Sequence, residues 1–315
     1  MKKKIPQQTI ILVGIIVVLL ILGSIINPQF MASMNVANIL TMSALLGFIA
    51  IGQTFVVLSG DNGLDLSVGG VMSLGAILAT TYMSGQNKNF LLAMLIVLVS
   101  GAIFGFLNSI GIVYAKVPAM VMTLAMANVL TSIQQIFTGG YPKGGPSPIA
   151  SAITTTRILP FLPGIVVLWI VMIGVVHLVL TRSSYGKQLY AMGANKNAAL
   201  LTGVKVRKIK IITYTLCGMM SAFAGFWLCA YNGVVYVNAG SSYIMPSVAV
   251  VVIGGTSLAG GKGSYSGTVA GAVILTIINS LLVMVNTNEA GRFMMNGFLL
   301  IILLAIYTKQ PKNRQ

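Results

Sequence analysis

Long apolar runs alternate with short polar breaks along the whole chain. Runs of the length needed to cross a bilayer, about 20 residues, lie at 9–26, 39–58, 66–83, 90–114, 118–137, 164–180, 209–230, 243–258, 266–285 and 293–307. The pattern predicts an all-α, polytopic membrane protein of about ten transmembrane helices, forming one membrane domain over residues 1–315. Run 66–83 is the weakest because it is rich in Gly and Ser. The run beginning at Thr9 follows Lys2, Lys3 and Lys4, as in a signal peptide, but its apolar core is long and no A-x-A site follows. It reads as a retained first span.

The runs fall into two groups of four, 39–137 and 209–308. Each group holds a span with a glycine pair, Gly69-Gly70 in the first and Gly254-Gly255 in the second. Gly-broken segments at matching places in two halves point to a transporter repeat and its solute path.

Cations orient the chain. With the N-terminus inside, fifteen Lys and Arg fall on the inner side and only Lys88, Lys143, Arg157 and Arg292 on the outer. The positive-inside rule therefore places both termini in the cytoplasm. Composition agrees with this class: 57% of residues are hydrophobic and 7% charged, against about 25% charged in soluble domains. The formal net charge of +16 sits between apolar runs, so it marks topology and contact with lipid, and implies no nucleic-acid partner.

Two polar breaks are long. Residues 138–163, with Pro142, Pro146, Pro148, Pro160 and Pro163, predict a turn-rich, non-helical outer loop. Residues 182–210 carry seven cations and no acid. Within them Asn195 is placed to cap a short helix over 196–202 that Gly203 would stop. Two turns cannot cross a membrane, so this helix is built to touch something at the inner face.

The candidate chemistry is sparse. Asp61, Asp65 and Glu289 are the only acids and His177 the only histidine. Carboxylate pairs, nucleophilic triads and metal clusters all lack parts, so the chain is not expected to be an enzyme or to bind a cofactor itself. His177 reads as a packed or interfacial side chain, and Glu289 as a solvated partner of Arg292. Cys217 and Cys229 lie about 18 Å apart on one predicted helix and cannot bond to each other. The stretch 254–263 imitates a phosphate loop, yet Gly263 follows Lys262 where Ser or Thr is needed. It predicts a tight turn between close helices, with Gly267 and Gly271 extending a small-residue face.

Asp65, or Ser67 beside it, is placed to cap the third helix. The competing reading makes Asp65, Ser67, Gly69, Gly70, Asn128, Gly254 and Gly255 a gate or pathway set. Other polar residues in spans, including Gln53, Asn108, Thr123, Gln134 and Asn279, suit a neutral hydroxyl-rich solute and equally serve as helix glue.

GLDLSVGGVMSL at 63–74, GKQLYAMGANKNAALLTGVKVRKIKIITYTLCG at 186–218 and VVVIGGTSLAGGKGSYSGTVAGA at 250–272 resemble the bacterial ABC importer permeases of the ribose/xylose/arabinose/galactose branch, the ribose permeases most of all. The resemblance implies a permease paired with a second copy or a homologue in the bacterial cytoplasmic membrane. A partner ATP-binding subunit would hold ATP and Mg, and an extracytoplasmic solute-binding protein would deliver the sugar. It further implies that Gly193, Asn197, Ala198, Ala199, Leu200, Thr202 and Gly203 form the coupling helix that docks on the ATPase. One departure is visible: relatives often carry an acid after the Tyr of a YELDAIAAVVLGG-like run, where this chain has Ile244, Met245 and Pro246. The alternative class, a stand-alone ion-coupled transporter, lacks the ionisable span residues that usually carry coupling protons.

Overall fold

The computed structural model describes residues 7–288 and, beyond them, 290–292, 294, 295, 297, 298 and 301. The expected run 293–307, the terminal cation clusters and the Glu289–Arg292 pair therefore lie outside the described residues in whole or in part. Among the continuously described residues 7–288, twelve α-helices follow one another: α1 (Gln7–Ile26), α2 (Ser33–Leu58), α3 (Val68–Met83), α4 (Phe90–Val113), α5 (Ala119–Thr138), α6 (Pro148–Thr155), α7 (Gly164–Arg182), α8 (Ser184–Ala194), α9 (Lys196–Leu201), α10 (Val206–Asn232), α11 (Ile244–Ile253) and α12 (Tyr265–Met284). Seven of them, α1, α2, α4, α5, α7, α10 and α12, are long and apolar enough to cross a membrane.

The other two expected spans are short. Helix α3 has 16 residues and α11 only ten, about 24 and 15 Å at 1.5 Å per residue, against a hydrocarbon core of about 30 Å. The run 243–258 is thus not one span: its helix stops at Ile253, and Gly255, at φ +77°, turns the chain. Neither glycine pair interrupts a helix. Gly69 and Gly70 lie in the first turn of α3, while Gly254 and Gly255 follow the end of α11. Pro246 sits in the first turn of α11, where a missing N–H costs nothing, and starts the helix without kinking it.

Helix α10 is the hub and packs on α2, α3 and α4. Its approach to α4 is so close that a side chain on Gly218 would strike the Gly101 carbonyl and the backbone of Gly105. Small residues permit this contact, which replaces the hydrophobic drive that lipid removes. Phe90, Phe223, Phe226 and Trp227 cluster beside it, three pairs edge to face with centroids 5.3–6.0 Å apart and Phe90–Trp227 tilted at 6.4 Å. Helix α1 lies apart, apolar and largely exposed all round, and meets the bundle through α12 and Phe30. That exposure suits a lipid-facing span.

The proline-rich segment 138–163 contains more structure than its composition predicts. Ser147 accepts a hydrogen bond from the Ala150 amide at 3.3 Å and Pro148 occupies the first helical position, so α6 forms within it. Serine then proline is a helix-start pair as well as a turn signal. A small antiparallel hairpin, β1 (Arg157–Leu159) with β2 (Leu162–Pro163), follows.

Candidate coupling site and membrane pathway

At one end of the bundle three turns meet. The 59–61 turn after α2, the end of α8 and the glycine-rich 254–263 turn between α11 and α12 touch through Gly60, Gly193, Gly260 and Gly261. The Gly261 amide donates to the Leu58 carbonyl at 3.0 Å, and Gly193 lies against both groups with no room for a Cβ. Tyr190 on α8 donates its hydroxyl to the Gly263 carbonyl at 2.8 Å. The 254–263 stretch is the tight turn expected, with Gly267 packed against Gly254.

Helix α9 projects from this junction. Asn195, in extended conformation, accepts from the Ala198 amide at 3.0 Å and so caps it as local sequence predicts. Gly203, at φ +83°, closes the other end, where its amide reaches the Leu200 carbonyl at 3.1 Å. Helix α8 ahead of it was not expected; Ser183 caps it by accepting from the Gly186 amide at 3.0 Å. Asn197, Ala198, Leu200, Thr202 and Gly203 are exposed, but Ala199 is turned inward and buried. Leu201, absent from the expected set, is 90% exposed, against 52% for Leu200. Helical phase explains both: with Ala199 facing the bundle, Leu200 and Leu201 point away from it.

Asp61 ties this helix to the bundle. Lys196 donates to Asp61 Oδ2 at 2.7 Å and Lys210 at 2.9 Å. Asp61 therefore links α9, the start of α10 and the turn leading to α3. Burial raises its carboxyl, but hydrogen bonds and charge from Lys196 and Lys210 outweigh burial and leave it below the ordinary carboxylate value of 3.8. A depressed folded-state value adds stability that is complete above the unfolded value and is lost as pH falls through the folded one. Asp61→Asn should thus lower thermal stability at neutral pH, and the gap from the parent should close in acid below about pH 4. The exposed Lys196 pair contributes under about 1 kcal/mol. Most of the loss comes from Lys210, whose side chain is only 11% exposed and would be left unpaired. A gap unchanged between neutral and acid pH would contradict the ionic account.

Deeper in the bundle, two loops re-enter. Residues 59–67 rise from the junction to the start of α3, and 233–243 descend from the far end of α10 to the start of α11. Unpaired loop backbone inside a membrane needs partners from the protein, and buried side chains supply them. Thr123 accepts from the Leu66 amide at 3.0 Å; Gln134 donates to the Gly70 carbonyl at 3.1 Å and accepts from the Asn238 amide at 3.1 Å. Ser73 accepts from the Gly240 amide at 2.8 Å. Asp65, 1% exposed, accepts from the Ser67 amide at 2.9 Å and its hydroxyl at 2.6 Å, while Asn108 donates to that hydroxyl at 2.8 Å. Asp65 thus folds the turn just ahead of α3, bonding the amide of Ser67, which opens the helix without a side-chain cap bond of its own. Asn108, Thr123 and Gln134 are glue, with a named backbone or hydroxyl partner each.

The first turns of α3 and α11 abut, Gly69 lying against Gly240 and Ile244. Asp65, Ser67, Gly69 and Gly70 are therefore together, at the crossing of two helix N-termini. Gly254 and Gly255 sit at the other end of α11, and Asn128 lies exposed on α5. The expected pathway set is split across three places. His177 is exposed on α7, and Cys217 and Cys229 are free and buried.

Residues 35–304 match the family described as branched-chain amino acid transport system / permease component. The chain is 31% identical over 315 residues to the ribose import permease protein of Bacillus subtilis, covering 94% of this chain and 91% of the relative. It is 33% identical over 298 residues to that of Haemophilus influenzae, covering 92% and 90%. It is 31% identical over 318 residues to the galactose/methyl galactoside import permease protein of Escherichia coli, covering 93% of each. No solved structure matches. With the match spanning nearly all of the bundle, including every turn of the junction, this chain belongs to the branched-chain amino acid transport system / permease component family.

Proposed function

We propose that this chain is the transmembrane subunit of an ABC importer that carries a monosaccharide, ribose or a related sugar, across the bacterial cytoplasmic membrane by alternating access. The observation that carries the reading is α9: a capped helix with two outward leucines, joined to the bundle by Asp61 and the glycine junction. Its neighbourhood carries the densest cations in the chain, so this end is the cytoplasmic face and the N-terminus is cytoplasmic too. The C-terminus is assigned to the same side.

A partner ATP-binding subunit would receive α9 in a groove and supply ATP and Mg; a second permease copy or homologue and an extracytoplasmic solute-binding protein would complete the importer. Closure of the ATPase would move α9, and Asp61 would pass that movement to the 59–67 turn and to α3. Helices α3 and α11 run from their common crossing toward opposite faces, the arrangement of an inverted repeat, and the crossing supplies a gate that both can shift. Asp65, Ser67, Gly69 and Gly70 belong to that gate. Gly254 and Gly255 belong to the junction. Three acids in the whole chain leave ion-coupled transport without proton carriers.

Uptake into proteoliposomes tests the reading. Vesicles holding this chain with the ATP-binding subunit and the solute-binding protein should accumulate labelled monosaccharide only when ATP reaches the ATPase. Equal accumulation by this chain alone without ATP would overturn it.

A further inference from the structure

A cavity of about 400 Å³ opens between α2, the start of α11 and α12. Its wall runs from Asn35 near the start of α2 to Leu46, about 16 Å along the helix at 1.5 Å per residue. It therefore enters from the end opposite the basic junction and reaches the first turn of α11 at Pro246. The volume lies within the range of small-molecule sites, about 300–1,000 Å³.

Its polar groups are carboxamides, hydroxyls and one guanidinium. Asn35 donates to the Phe30 carbonyl at 2.8 Å and accepts from Ser280 at 3.1 Å, which fixes the rim between α2 and α12. Asn38 is held by the Tyr231 hydroxyl at 2.8 Å. Three groups are left with hydrogen-bonding capacity to spare, one of them the buried Arg292 Nε, which has no partner among the described residues. The buried Asn279 Oδ1 has no partner among the described residues, and the nearest acceptor for the Tyr243 hydroxyl is the Met42 sulfur at 4.0 Å. A buried acceptor without a partner is costly and marks a place where something else bonds. Met42, Leu46 and Pro246 give an apolar floor beside the Tyr243 ring. Among the described lining residues the sole charge is Arg292.

We infer that this cleft is a binding station for a neutral, polyhydroxylated solute on its way inward, with Asn279 and Tyr243 reading its hydroxyls. Carboxamides and phenols donate and accept, as a ring of hydroxyls requires, while the apolar floor receives the C–H face of a sugar. An amino-acid zwitterion would need an anion for its ammonium group, and the described wall offers none. The inference rests on the sugar-importer reading above and deepens it by giving the sugar a place within one protomer.

The cysteine background makes the test direct, because Cys217 and Cys229 are both buried. Ser242, part-exposed on the wall, is replaced in the full chain, S242C, within membranes that also hold the ATP-binding and solute-binding subunits. Labelling by a small membrane-impermeant thiosulfonate is timed with and without D-ribose, D-galactose and, as a control, L-valine. A monosaccharide should slow labelling several-fold and L-valine should not. Adding Asn279→Leu should abolish that protection and lower monosaccharide uptake about tenfold, the weight of one buried hydrogen bond to a ligand. Asn279→Gln should restore part of both. Protection by no sugar in membranes that import one overturns the station and leaves the importer reading standing. Absence of labelling altogether, as when a second copy covers the cleft, also overturns it. Protection by L-valine with no sugar imported overturns both.

Discussion

Leu201→Glu abolishes docking of the ATP-binding subunit while leaving the bundle intact. At 90% exposure Leu201 touches nothing in its own chain that a charge would disturb, so the melting temperature of the isolated permease stays within the scatter of surface substitutions, about 0.5 kcal/mol. On the proposed reading the same side chain enters an apolar groove of the ATPase, where truncating a central contact costs about 2 kcal/mol or more, about thirty-fold in affinity. A buried glutamate raises the loss further. Leu200→Glu, at 52% exposure, gives a weaker version. Permease-stimulated ATPase activity reads the effect, and full stimulation by the Leu201→Glu protein would remove α9 from the interface. Ala199→Glu is a poorer probe, since Ala199 is 3% exposed and its loss of docking would be mixed with unfolding.

Gly193→Ala separates coupling from docking. A methyl group at this position meets the Leu58 carbonyl and the Gly261 amide, whose 3.0 Å hydrogen bond joins α2 to the α11–α12 turn. Overpacking costs about 1–3 kcal/mol, and breaking the bond adds about 1 kcal/mol. The expected protein still binds the ATPase through an unchanged α9, melts several degrees lower, and hydrolyses ATP with little sugar imported. Wild-type melting and wild-type import together would show that the three turns do not act as one body.

The parts of this site that local chemistry encodes were legible before the structure. Asn195 and Gly203 announce α9 because a cap and a left-handed stop act within a few residues. The Asp61 pairs were not legible, since they join positions 135 and 149 residues apart; an acid facing seven cations was the one available hint. Hydropathy located α3 and α11 but overstated the second, because re-entrant backbone buried in protein is as apolar as a span. Proline masked α6, where Ser147-Pro148 starts a helix. The glycine pairs resembled helix breaks but serve as contacts: Gly69 with Ile244, Gly254 with Gly267. Asn128 has the right chemistry for a path and an exposed position on α5.

Affinity purification of the full chain from its native membrane in mild detergent tests the central claim most directly. The account predicts that an ATP-binding cassette subunit stays bound, and that Leu201→Glu releases it. A permease that purifies alone and still moves sugar without ATP would contradict it.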